Sequence, residues 1–240
     1  MLDAGCGVGS ITLDLAELVA PGETVGLDQD AAQLDIARAA AAARGLSATR
    51  FVVGAAYDLP FPDASFDVAL AHTLLIHLSD PLRALREPRR VLKPGGIVAI
   101  SDDQDATWVV SPEDSAARYL IAELGPRAIA ASGGSPFYSH NLRRLLLDAG
   151  FACAEGHAVA PECYGAREET RRFAALVDRQ MANPDIVALI VARGRATEEE
   201  LAAMRAEVLA WGERPDAYAA ILYCAALGWV APESSDQALA

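Results

Sequence analysis

A chain of 240 residues that is 52% hydrophobic, with a mean hydropathy of +0.19, has the apolar content to bury the core of one large α/β domain and too much for a disordered chain. Its 33 acidic against 20 basic residues give a net charge of -13, a field that repels phosphate backbones and anionic membranes and so speaks against a nucleic-acid or membrane partner. Cys6, Cys153, Cys163 and Cys224 lack C-x-x-C spacing, which implies neither a zinc site nor a disulfide framework; no stretch approaches the roughly 18 apolar residues of a membrane span, and a cytoplasmic location is expected.

Strand-like runs alternate with helical patterns through the first two thirds of the chain. "TVGLD" (24–28), "TRFVVG" (49–54), "FDVALA" (66–71) and "GIVAIS" (96–101) are short apolar or β-branched runs, and each follows a helix-compatible stretch. The helices are "GSITLDLAELVA" (9–20), "DAAQLDIARAAAAARG" (30–45) and "DPLRALREPRRVLK" (80–93), the last carrying Pro88 and closed by the turn "KPGG" (93–96). Such alternation predicts βαβ units and a parallel sheet. Beyond residue 101 two irregular blocks, 102–136 and 161–215, interrupt the rhythm, the second carrying the amphipathic helices "REETRRFAALVDRQM" and "ATEEELAAMRAEVLAWG". Between and after these blocks, 137–160 supplies a helix and a strand, and 216–230 is apolar enough to hold a closing strand. With no repeat or linker in sight, 1–240 reads as a single domain whose first 101 residues form the ligand-binding half.

The opening stretch "MLDAGCGVGS" carries the chemistry. Gly5, Gly7 and Gly9 follow an apolar residue and an acid and directly precede a helix, so the backbone can turn sharply and approach a ligand beside free helix N–H groups. Asp28 ends the next strand 19 residues past Gly9, near the spacing at which an acid takes both hydroxyls of a ribose. A dinucleotide turn would read G-x-G-x-x-G around a pyrophosphate, whereas this one reads G-x-G-x-G with Asp3 beside it, a carboxylate that suits a cationic, amino-acid-bearing ligand better.

In "LDAGCGVG", "VGLDQD", "GAAYDLPFPDASFDVALAHTLLIHLSDP" and "RVLKPGG", in that order, the sequence resembles the class I S-adenosylmethionine-dependent methyltransferases, in particular the small-molecule group related to the quinone-biosynthesis enzymes. The resemblance covers about residues 2–101, with later echoes in "NLRRLLLDAGF" and the tail. It implies a Rossmann-like, doubly wound, seven-stranded sheet, mostly parallel with an antiparallel last strand and helical insertions after strands five and six. S-adenosylmethionine is the implied cofactor and a small molecule the implied methyl acceptor. Asp3, Gly5, Gly7 and Gly9 would form the turn under the methionine part and ribose, Asp28 would chelate the ribose hydroxyls, and Gln29 would lie beside the adenine. Backbone at Ala56 and Tyr57 would meet the adenine edge, while Ala71 and His72 would border the methionine part.

Two departures from the family pattern stand out. Ala55 replaces an acid that many relatives direct at the adenine amino group, leaving Tyr57 or Asp58 to compensate, and only Met1 and Leu2 precede Asp3 where relatives carry a longer strand and capping helices, which predicts a truncated or mis-started chain, with a shortened but functional variant as the alternative. Methyl transfer asks for alignment and, for some acceptors, one base. His72 and Asp102 are the candidate catalytic residues; His77 fits packing or capping of the next helix, and Asp102, Asp103 and Asp105 together also fit an exposed acidic loop. Trp108, Tyr119, Phe137, Tyr138 and Trp211 fall in the irregular blocks, as core or as walls of an acceptor pocket. No histidine pair has the H-E-x-x-H spacing of a zinc site. A silent cofactor-binding protein and a nicotinamide-dependent oxidoreductase are the alternatives.

Overall fold

A computed structural model describes residues 1–113 and 115–233, with backbone alone at 159–163, so the Cys163 side chain lies outside the described residues. Along the chain run β1 (Leu2–Ala4), α1 (Ser10–Val19), β2 (Thr24–Asp28), α2 (Ala31–Arg44), β3 (Thr49–Val53), β4 (Phe66–His72), α3 (Pro81–Val91) and β5 (Leu92–Asp103). There follow β6 (Val109–Ser111), α4 (Ala116–Tyr119), α5 (Gly125–Ala131), α6 (Leu142–Asp148), β7 (Cys153–Tyr164), α7 (Arg167–Met181), α8 (Pro184–Ala192), α9 (Glu198–Gly212) and β8 (Tyr218–Trp229). These elements form two compact units, one of residues 1–102, 140–157 and 225 onward, the other of residues 103–139 and 158–224.

In the first unit the strands lie in the order β3-β2-β1-β4-β5 and every neighbouring pair is parallel. Leu2, Ala4, Val25, Leu27, Ala69, Ala71, Val98 and Ile100 are buried, the near-continuous apolar pattern of strands covered on both faces. Each residue of the short β1 is paired on both sides, Asp3 with Gly26 of β2 and with Leu70 of β4. The chain winds outward from β1 through β2 and β3, then returns to place β4 on the other side of β1. Strand order therefore reverses between β1 and β4, the place where open α/β sheets bind ligands at the carboxyl ends of their strands.

Local signals set the helix boundaries. Asp30 caps α2 by accepting from the Ala32 and Gln33 N–H groups, and Gly45 closes it in the left-handed conformation. Asp80 caps α3, with Pro81 opening the helix. By contrast, α1 begins at Gly9, which has no side chain to cap it. Leu13 of α1 packs with Leu34, Ala37 and Ala41 of α2 and Phe51 of β3 in one cluster.

The turn expected at 93–96 is absorbed into β5, which starts at Leu92. The ladder to β4 jumps there, Phe66 pairing with Leu92 and Val68 with Ile97, and the Gly95 N–H is still satisfied by the Val230 carbonyl at 3.2 Å. The seven expected strands are all present, the last of them running antiparallel to the three-residue β6, an eighth strand.

The second unit pairs β6 antiparallel with the start of β8, Val110 opposite Ala219. Its helices close over their own core, in which Leu120, Leu124, Val208 and Trp211 are buried. The Trp211 indole N–H donates to the Ser111 carbonyl at 2.8 Å, and Phe173 stacks on Trp108 and Tyr164. Trp108, Tyr119 and Trp211 thus serve this core, whereas Phe137 is exposed. Thr197 and Glu200 cap α9 reciprocally. No helix among the described residues is long and apolar enough to cross a membrane.

Candidate active site

At the reversal between β1 and β4 the chain leaves β1 through three glycines with positive φ: +74° at Gly5, +54° at Gly7 and +79° at Gly9. Two backbone donors fasten this turn to the neighbouring strand, since the Gly5 and Cys6 N–H groups donate to the Leu27 carbonyl at 2.7 and 3.0 Å. A Cβ at Gly5 would come within 2.7 Å of the Leu74 side chain, and one at Gly9 within 2.9 Å of Ala37 Cβ, so the turn is built without room for side chains.

A cavity of about 230 Å³ opens beside the turn, and Asp3, Gly5, Gly7 and His72 all line it. These four were expected from the sequence. Cys6, Ser10, Ile11 and Gln33 line it too and were not: α2 delivers Gln33 one turn after its Asp30 cap, a proximity that no local pattern announces.

Asp28 joins the same turn from the end of β2. Its Oδ2 accepts from the Gly7 N–H at 2.9 Å and its Oδ1 from the Asp30 N–H at 2.9 Å, so two backbone donors fix the carboxylate while each oxygen keeps a lone pair for a ligand hydroxyl. Gln29 is exposed next to it, and Ala56 and Tyr57 are half-buried in the turn after β3. The Tyr57 hydroxyl accepts from the Asp80 N–H at 3.0 Å and its ring lies under Arg83, which ties the side chain to the start of α3 and leaves its backbone for other partners. Ala71 is buried within β4, and His72 closes that strand opposite Ser101. The next residue, Thr73, has φ +47°, a strained position for a β-branched residue and of the kind that clusters at functional sites. His77 ends a single 3-10 turn, exposed; the side chain that caps α3 is Asp80.

Asp3 is buried, and its Oδ2 accepts from the Thr12 hydroxyl at 2.5 Å. Burial pushes its pKa up to about 6, with the Asp28 charge adding to the rise and the Thr12 bond opposing it. The same burial, helped by Asp3 and Asp28, pushes the Cys6 thiol up to about 12, so it is no nucleophile at neutral pH.

The acidic run is not an exposed loop: Asp102 and Asp103 end β5 itself, and Asp105 follows in a short 3-10 turn. Asp102 is 0% exposed and does not line the cavity of the first unit. In the second unit Asp105 is 5% exposed, held by the Trp108 indole N–H at 2.8 Å and pushed up to about 7 by burial and the neighbouring Asp103 charge. A tryptophan donor three residues past Asp105 lets that acid stay inside. Among the described residues no group of three or more His, Cys, Asp or Glu side chains is placed to hold a metal.

The Asp3 shift has a thermodynamic consequence. Its folded-state pKa exceeds the unfolded value of 3.8, so its favourable contribution is present below about pH 4 and is lost as pH rises through about 6. Asp3→Asn keeps an acceptor for Thr12 and removes the buried charge. It is expected to stabilise the ligand-free chain by about 1–3 kcal/mol near pH 8 and to do nothing near pH 3. Denaturant titrations at both pH values check this; an equal gain at both would mean that the charge is not the cause.

Residues 2–100 match the methyltransferase-domain family Methyltransf_11. A probable methyltransferase, ltbC of Aspergillus luteorubrus, is 32% identical over 95% of this chain and 85% of its own length. An uncharacterised methyltransferase of Schizosaccharomyces pombe is 33% identical over 72% of the chain, which spans 64% of that relative's length. The demethylmenaquinone methyltransferase of Geobacillus stearothermophilus is 38% identical over 44% of the chain and 46% of its own. Among solved structures, the 4+2-cyclase SpnF superposes with a TM-score of 0.61 at 26% identity, over 96% of this chain and 75% of that one. With a glycine turn of this geometry at the switch point of such a sheet, the chain belongs to the class I S-adenosylmethionine-dependent methyltransferases.

Proposed function

We propose that this chain transfers a methyl group from S-adenosylmethionine to a small, uncharged or aromatic acceptor by in-line displacement. The observation that carries the reading is the cavity lined by Asp3, Gly5, Gly7 and His72, beside a carboxylate, Asp28, already oriented by the turn.

When bound, the cofactor supplies a methyl group on a sulfonium, an electrophile that needs no further activation. The chain's own residues hold and align it. Asp3 takes the ammonium and Asp28 the ribose hydroxyls, while Gln29, Ala56 and the Tyr57 backbone flank the adenine. Asp58, whose carboxylate has no hydrogen-bond partner among the described residues, is the acid nearest in sequence to replace the one missing at Ala55. Ala71 and His72 border the methionine part. Of the two candidate bases His72 is favoured, because it lines the cavity and Asp102 is closed off. For a hydroxyl acceptor its ring would take the proton from the oxygen that receives the methyl group. The net charge of -13 disfavours anionic acceptors, and kinship with an enzyme named for demethylmenaquinone supports a flat, apolar one.

The test is turnover. Incubated with S-adenosylmethionine and a panel of phenols, quinols and amines, the chain is expected to release S-adenosylhomocysteine only when an acceptor is present. His72→Ala is expected to lower kcat for a hydroxyl acceptor by about 100-fold. An acceptor consumed with no S-adenosylhomocysteine released would end the transferase reading.

A further inference from the structure

Thr12 is the third residue of α1, 0% exposed, and it does not line the cavity. A buried threonine in a helix ordinarily turns its hydroxyl back onto a carbonyl of the preceding turn. This one instead donates to a carboxylate nine residues earlier in the chain, at 2.5 Å, the partner being Asp3 Oδ2. Asp3 does line the cavity, and its Oδ1 accepts no hydrogen bond from the described residues.

Resting on the cofactor reading above, we propose that Thr12 is a positioning residue for the cofactor's ammonium group: its hydroxyl holds one oxygen of Asp3 and so leaves the other for the ligand. The bond fixes the carboxylate's rotation and supports its charged form. Other titratable groups around Asp3 are the Asp28 carboxylate from β2, the Cys6 thiol of the turn and His72, which lines the same cavity from β4. Asp28 opposes the charge on Asp3 and Cys6 is neutral, so Thr12 is the side chain that stands against burial.

The effect is read by titrating the full chain with S-adenosylhomocysteine between about pH 5 and pH 8, and with 5′-methylthioadenosine, which has the nucleoside but no ammonium. In the wild type, S-adenosylhomocysteine affinity is expected to fall as pH drops through about 6, where Asp3 takes up its proton, while 5′-methylthioadenosine affinity stays nearly flat. Thr12→Val is expected to move that midpoint upward and weaken S-adenosylhomocysteine about 10-fold near pH 6.5, leaving 5′-methylthioadenosine within about 2-fold. Thr12→Ser is expected to restore the wild-type profile. Equal weakening of both ligands with an unmoved midpoint overturns the proposal, because Thr12 would then matter only to the shape of the turn. So does failure to fold of both Thr12→Val and the smaller Thr12→Ala, which would make it a residue of the fold. A wild type that binds neither ligand at any pH defeats the cofactor reading itself, a different result from a wild-type response that the variants do not alter.

Discussion

Asp28→Ala is expected to weaken S-adenosylhomocysteine binding by at least about 100-fold, because two hydrogen bonds to a charged acceptor, each worth about 1.5–3 kcal/mol, are lost together. The carboxylate also accepts from the Gly7 and Asp30 N–H groups, so its removal also frees the glycine turn. Asp28→Asn, which keeps one acceptor oxygen, should fall between the two. Calorimetric titration of all three proteins gives the ranking, and a thermal scan of each ligand-free form separates lost binding from lost folding. Binding by Asp28→Ala within a few-fold of the wild type would mean that the ribose lies elsewhere.

Gly9→Val is expected to cost about 3–5 kcal/mol of stability, a large share of the 5–15 kcal/mol that holds a typical domain together. Two terms add. A β-branched residue at φ +79° carries the left-handed penalty, about 1–2 kcal/mol, and its Cβ would sit 2.9 Å from Ala37 Cβ and 3.2 Å from Phe51 Cε1, within the α1–α2–β3 cluster. Gly45→Val isolates the first term, since Gly45 has φ +71° and nothing within 4 Å of its missing Cβ. Denaturant unfolding of the two variants should therefore differ by roughly 2 kcal/mol or more. If both lose the same amount, packing at the turn contributes nothing.

Much of this architecture is written in short-range signals. The acid and proline at Asp80 and Pro81, the Thr197 and Glu200 pair, and the glycine after α2 each mark a helix end that the structure keeps, because capping is a local exchange of hydrogen bonds. The parallel core was equally legible from its continuous apolar runs. β6 was not, since three residues are too few to show a period and its place depends on β8, more than a hundred residues later. Nor were the cavity contacts of Gln33 and the hydroxyl bond of Thr12: periodicity tells which face of a helix is buried, not which polar atom it meets there. The acids at and just past the end of β5 mislead for the same reason. Composition assigns them to solvent, whereas the Trp108 indole N–H provides Asp105 with a partner inside.

Sequence and structure both bring Asp3 and Asp28 to the switch point, the two acids that the proposed function assigns to an ammonium and to a ribose. Similarity to a 4+2-cyclase as well as to methyltransferases is a reminder that one fold hosts several chemistries, so the reaction must be argued from the site. One titration addresses that argument at its root: the unmodified chain against S-adenosylhomocysteine and, separately, NAD, with folding checked by circular dichroism. One-to-one micromolar binding of S-adenosylhomocysteine with no binding of NAD is the predicted result; a folded protein that prefers NAD, or binds neither, contradicts it.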